Sequence, residues 1–193
     1  MTSSPHILVV VGSTRQGRNA DKVVGWLTSG LSMRSDATFE IADLRDLSLP
    51  FFDAPVGPGY GGVAVEARTW AEHVANADGF IFLTPEYNHG YPAALKNAID
   101  HLYHQWVHKP AAIVSYGGYG GGYRAAEQLR QVLIELKMVP VREQVGIPAI
   151  WAAFDEAGVL RTEGFDDALD AMVDELLWWA GALIPARGQD RAA

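Results

Sequence analysis

Hydroxyls, guanidinium groups and an amide crowd one short stretch of the chain, Gly12-Ser13-Thr14-Arg15-Gln16-Gly17-Arg18-Asn19. Ser13 and Thr14 offer O–H donors, and Arg15 and Arg18 offer charged forks that match phosphate oxygens. Asn19 stands where an N-cap belongs, so the helix it opens would point free N–H groups back at the same loop. Donors, positive charge and helix dipole converge on an anion. Read alone, the stretch also fits an ordinary polar turn with two exposed arginines. Two commoner phosphate motifs fail here. A P-loop ends in Gly-Lys-Ser/Thr, but Gly17 is followed by Arg18-Asn19. The dinucleotide fingerprint needs a middle glycine where Thr14 stands. Asp43 imitates the ribose-binding acid of that fingerprint, and the sequence reads it as a solvated carboxylate at a strand end.

A second loop, Thr84-Pro85-Glu86-Tyr87-Asn88-His89-Gly90-Tyr91-Pro92, follows an apolar run. Backbone groups fixed by Pro85 suit the polar edge of a heterocycle, and Tyr87 can pack against its face. Pro92 suits the first position of the next helix, where its missing N–H does no harm. A third loop, Ser115-Tyr116-Gly117-Gly118-Tyr119-Gly120-Gly121-Gly122, lets the backbone approach a ligand closely and offers N–H groups to negative charge. His89 reads as a surface loop residue. His101, His104 and His108 have no acidic cluster beside them, so no metal site is expected.

The elements that must position these loops are legible from periodicity. Ile7–Val11, Phe80–Leu83 and Ala111–Val114 are near-continuous apolar runs, as in strands buried on both faces, and Phe39–Ala42 is a weaker one. Between them helical spacing recurs at Val23, Leu27 and Leu31, at Trp70 and Val74, at Leu95, Ile99 and Leu102, at Leu129 and Leu133, and at Leu169, Val173 and Leu176. Val139, Val141, Val145 and Ile147 alternate with polar residues and Pro140, which predicts a half-exposed edge strand. The βα alternation implies an α/β fold: a flavodoxin-like three-layer sandwich, with a five-stranded parallel sheet in order 2-1-3-4-5 and helices on both faces. All three loops then fall at one sheet edge, where such folds bind ligands. The expected organisation is a single domain over 1–184, with a disordered polar tail over 185–193. The Pro- and Gly-rich segment from Leu44 to Gly62 is too irregular for an element and reads as a functional or a disordered loop.

Composition narrows the function. The net charge of −8 argues against a nucleic-acid surface. No apolar run approaches the ~18 residues of a membrane span, and the N-terminus has no basic segment before its apolar stretch. The absence of cysteine excludes disulfides and thiolate chemistry and fits a cytoplasmic protein.

On these residues the sequence resembles the NADPH-dependent FMN reductases of flavodoxin-like fold, which include azoreductase, quinone reductase and chromate reductase members. The resemblance spans nearly the whole chain. It rests on Gly12-Ser13-x-Arg15, on Pro85-Glu86-Tyr87-Asn88 followed by Pro92-x-x-Leu95-Lys96-Asn97-Ala98-Ile99-Asp100, and on Ser115-x-Gly117-Gly118. It implies that Ser13, Arg15, Arg18 and Asn19 bind the FMN phosphate. Pro85, Glu86, Tyr87 and Asn88 would border the isoalloxazine, and Ser115, Gly117 and Gly118 its other side. Gly17 stands where many relatives have a serine. The implied activity is an FMN flavoprotein oxidoreductase. It would take a hydride from NADPH or NADH and pass two electrons, by a ping-pong scheme, to a quinone, azo compound, free flavin or chromate-like oxyanion. A homodimer or tetramer is implied as well, with Lys96 to Trp106 as a contact region. A flavodoxin-type electron carrier without turnover is the alternative, and Arg15 and Arg18 count against it. A flavin-free NAD(P)-binding module is disfavoured by the failed fingerprint.

Overall fold

The computed structural model describes residues 4–190, so residues 1–3 and 191–193 of the N-terminal and tail readings lie outside it. Five parallel strands form one sheet: β1 (His6–Val11), β2 (Thr38–Asp43), β3 (Gly79–Pro85), β4 (Pro110–Tyr116) and β5 (Val139–Ile147). Their order is β2-β1-β3-β4-β5, the order the sequence predicts. The central strands β3 and β4 are buried along their whole length, which is why they read as unbroken apolar runs. β2 and β5 form the edges, and Pro140 sits on β5 next to Val139, whose N–H donates to the Lys109 carbonyl, so the missing N–H at 140 costs no ladder bond.

Alternation along β1 feeds two cores. Ile7, Val9 and Val11 face α1 (Ala20–Leu31) and α7 (Phe165–Asp190), where Leu27 and Leu176 are fully buried. Leu8 and Val10 face the opposite layer. That layer contains α3 (Arg68–Asn76), α4 (Ala93–Asp100) and α5 (Tyr123–Glu135), with Trp70, Leu95 and Leu129 turned inward. Trp106 is fully buried there, its ring centroid 4.9 Å from that of Phe80. Two four-residue helices complete the set, α2 (Pro58–Gly61) and α6 (Ile150–Ala153).

Three features differ from the sequence reading. The segment after β2 is tied to α4: the Asn97 amide donates to the Pro50 carbonyl at 2.8 Å and accepts from the Phe52 N–H at 2.9 Å. His101 Nε2 lies 2.9 Å from the Pro50 carbonyl, and His104 Nε2 lies 3.1 Å from that of Gly59. Much of Lys96 to Trp106 is therefore covered by its own chain. Second, α7 continues through residues 184–190, where a frayed tail is expected. Arg187 anchors that end by donating to Asp78 at 2.6 Å, at the start of β3. Third, α4 begins at Ala93, with Pro92 as its N-cap, one residue later than predicted.

Candidate cofactor site

Parallel register brings the loops together. Val11 pairs with both Asp43 and Leu83, and Tyr116 pairs with both Pro85 and Ile147, so the ends of all five strands lie side by side. Gly12 turns out of β1 against its neighbours, its N–H 2.8 Å from the Leu83 carbonyl. A Cβ at this position would sit 3.0 Å from Leu95 Cδ2 and 3.1 Å from that same carbonyl, so the turn is packed as tightly as glycine allows.

Ser13 is fully buried, and beyond it the loop stands open from Thr14 to Gly17. Thr14 and Arg15 are exposed. The N–H groups of Thr14, Arg15, Gln16 and Gly17 have no hydrogen-bond partner among the described residues. They lie ahead of the twelve-residue α1, whose positive dipole end adds to them. Asn19 occupies the N-cap position, but its side chain makes no cap bond; its carbonyl accepts from Lys22 and Val23. An array of free N–H groups, a hydroxyl and an exposed cation suits a phosphate monoester.

Arg18 differs from the sequence reading. The residue is 5 % exposed. Its Nη1 donates to Asp43 Oδ1 at 2.8 Å and to the Ser13 carbonyl, its Nη2 pairs with Asp43 Oδ2, and its Nε donates to Asp21 Oδ1 at 3.0 Å. Those hydrogen bonds, to Asp43 above all, raise the guanidinium above its ordinary range despite the opposing effect of burial. Asp43 is correspondingly not a solvated carboxylate. Burial pushes it up, but the Arg18 bonds and the Arg45 N–H at 3.0 Å outweigh burial and hold it below the usual carboxylate range. Arg18 thus fastens the phosphate loop to the end of β2, and Arg15 is the arginine left facing outward.

The ring loop is a tight turn. Tyr87 and Gly90 exchange N–H···O bonds of 2.8 and 3.0 Å, and Asn88 and His89 both take positive φ, 51° and 70°, as in a type I′ turn. Pro85 is buried, while Tyr87 and Asn88 are exposed. Tyr87 Oη lies 2.8 Å from Ser13 Oγ, so the two loops meet although 74 residues separate them. Glu86 points away from solvent, its side chain 7 % exposed, and takes a 2.6 Å bond from Arg124 Nε at the start of α5. Burial alone would raise the Glu86 carboxyl, and Arg124 reverses that and holds it low.

The glycine loop closes the third side. Ser115 is fully buried and donates to the Gly121 carbonyl at 2.9 Å, so its hydroxyl shapes the loop. Gly117 uses its N–H on Ile147 and its carbonyl on Ile150. The N–H groups of Gly118, Tyr119 and Gly120 have no partner among the described residues and are open to a ligand edge. A cavity of about 350 Å³ lies beside Thr14, between Leu44, Leu49 and Phe51 on the segment after β2 and Ala94 and Asn97 on α4. A larger groove of about 880 Å³ between α1 and residues 157–170 carries four carboxylates, Asp21, Glu163, Asp166 and Asp170, against Lys22 and Arg161, a net negative lining that does not favour a phosphate.

Sequence reasoning missed Arg124, Asp43 and Tyr116. Asp43 had a usable signal: with β2 beside β1, its last residue must lie next to the turn after Val11.

Comparison with known proteins agrees with this architecture. A family model described as NADPH-dependent FMN reductase matches residues 5–152. An NAD(P)H-dependent FMN reductase of Schizosaccharomyces pombe is 41 % identical over 150 residues, 75 % of this chain and 74 % of that protein. A quinone reductase of Escherichia coli is 37 % identical over 143 residues, 70 % of this chain and 73 % of that protein. Among solved structures, the flavoenzyme NAD(P)H:(acceptor) oxidoreductase FerB of Paracoccus denitrificans superposes with a TM-score of 0.70. It is 23 % identical and covers 93 % of this chain and 98 % of its own, a likeness of fold.

Proposed function

The chain belongs to the NADPH-dependent FMN reductase family, and from that premise we propose that it binds FMN at the three strand-end loops and reduces a small acceptor with NADPH or NADH. The observation that carries this reading is the meeting of the phosphate loop and the ring loop through Ser13 and Tyr87, with unpartnered N–H groups on the phosphate and glycine loops. Bound FMN supplies the hydride chemistry.

The protein's own residues have simpler tasks. Arg15 and the N–H groups of Thr14 to Gly17 hold the phosphate, while Arg18 fixes the loop that presents them. Pro85, Tyr87 and Asn88 border the ring. The N–H groups of Gly118 to Gly120 face the ring edge, where negative charge develops on reduction. Phe51 and the segment after β2 exclude water from one side. NAD(P)H and acceptor take turns at the remaining open face, a ping-pong order, with quinones, azo compounds, free flavin and chromate-like oxyanions as candidate acceptors. A homodimer or tetramer and a cytoplasmic location belong to the same proposal. No described helix is long and apolar enough to cross a membrane.

Purified protein is expected to be yellow, or to become so on addition of FMN, and to consume NADPH steadily with a quinone. Colourless protein that cannot be reconstituted sinks the reading, and flavin binding without turnover turns it into an electron carrier. Arg15→Ala should weaken FMN binding by about 1.5–3 kcal/mol, the scale of a hydrogen bond to a charged group. Its unfolding midpoint should stay at the wild-type value, because the side chain is exposed. Titration of the apo-protein with FMN, beside urea unfolding, measures both.

A further inference from the structure

Tyr116 is a buried polar group to which the chemistry above gives no role. It ends β4, with its ring in the apolar layer shared with α1 and α7, and 3 % of its surface is exposed. Its Oη is buried and makes no hydrogen bond of ordinary geometry among the described residues. A phenylalanine would fill the same apolar space, so the hydroxyl is retained at a free-energy cost to the empty protein. Four residues lie near enough to influence it: Tyr87, Ser13, Arg18 and Arg15. All four belong to the phosphate and ring loops. Ser13 is already engaged with Tyr87, and Arg18 with Asp43 and Asp21. The Tyr116 O–H therefore lies beside the phosphate loop, close to a Ser13 hydroxyl that is already bonded to Tyr87, and makes no well-formed hydrogen bond of its own. Burial, more than any neighbour, holds the phenol above the ordinary tyrosine range, so it keeps its proton.

We propose that Tyr116 is a phosphate-recognition residue, its hydroxyl donating to the phosphate monoester of FMN from the sheet side of the loop. This inference rests on the FMN reading above and adds to it a donor supplied by β4. The phosphate then meets donors from two directions: the N–H array and Arg15 on the loop, and a protonated phenol on β4. The same hydroxyl has nothing to offer riboflavin, which lacks the phosphate.

Tyr116→Phe separates the possibilities. Apo-protein is titrated with FMN and with riboflavin by flavin fluorescence, and the thermal midpoint of each apo-protein is recorded. The variant should lose about tenfold or more in FMN affinity, keep riboflavin affinity within about twofold, and melt no lower than wild type. Unchanged FMN affinity, or equal losses for both flavins, overturns the proposal. Wild-type protein that does not distinguish FMN from riboflavin overturns the FMN reading itself, whatever the variant does.

Discussion

Arg18→Ala is expected to lower the unfolding free energy by about 3 kcal/mol, because it leaves a partly buried carboxylate with only the more distant Arg45 guanidinium, at 3.5 Å, as counter-charge. For a chain of this length that is a fall in melting temperature of about 6–12 °C. Asp43 loses both of its guanidinium bonds, and the Ser13 carbonyl loses its donor. The effect on the site is indirect, through a phosphate loop no longer fastened to β2. Asp43→Asn alone should cost less, since Arg18 keeps Asp21, and the double variant should lose less than the sum of the two. A stable Arg18→Ala protein with a pure loss of FMN affinity would restore the sequence reading of Arg18 as a direct phosphate ligand. The pH dependence follows in sign. Asp43 and Glu86 are both held low by arginines, so the folded state binds fewer of their protons than the unfolded state does. Their contribution is present above about pH 5 and is lost as the pH falls below about 4, through the lowered folded values. Arg18→Ala should flatten that acid loss, as measured by urea midpoints across the range.

The sheet order and the loops at its edge were legible because they depend on local signals: apolar runs, helical spacing and turn residues. What the side chains of those loops do was not, because it depends on partners distant in the chain. An arginine next to a glycine turn reads as a free cation, and only the register of β2 against β1 reveals that Asp43 has claimed it. Ser115 fits a ligand-contacting serine until the loop folds back and Gly121 presents its carbonyl. Tyr116 lies between two motif residues, and neither its burial nor its lack of a partner has a sequence signature. The segment after β2 shows the opposite failure. Its prolines and glycines do forbid a long element, yet Asn97 and His101 order it through the Pro50 carbonyl.

Gly122→Ala is expected to be the most damaging single-methyl change in the site, costing about 3 kcal/mol or more. Two effects add. Gly122 has φ of +84°, where an L-residue is disfavoured by about 1–2 kcal/mol. A Cβ there would also sit 2.7 Å from the Tyr116 nitrogen and 2.8 Å from Ser115 Cβ. Those are strand atoms, which cannot swing aside, and overpacking of this kind costs about 1–3 kcal/mol more. The glycine is therefore needed for the protein's own packing: the loop doubles back onto the end of β4 before it starts α5. Relief of the clash must move Ser115, Tyr116 or the start of α5, and the last of these carries Arg124 and its bond to Glu86. Loss of FMN affinity should accompany the loss of stability. Gly118→Ala is the contrasting change, since its nearest added contact is Trp151 at 3.9 Å and its φ is not positive. That variant should unfold within about 1 kcal/mol of wild type. Similar unfolding midpoints for the two variants would refute the packing role assigned to Gly122.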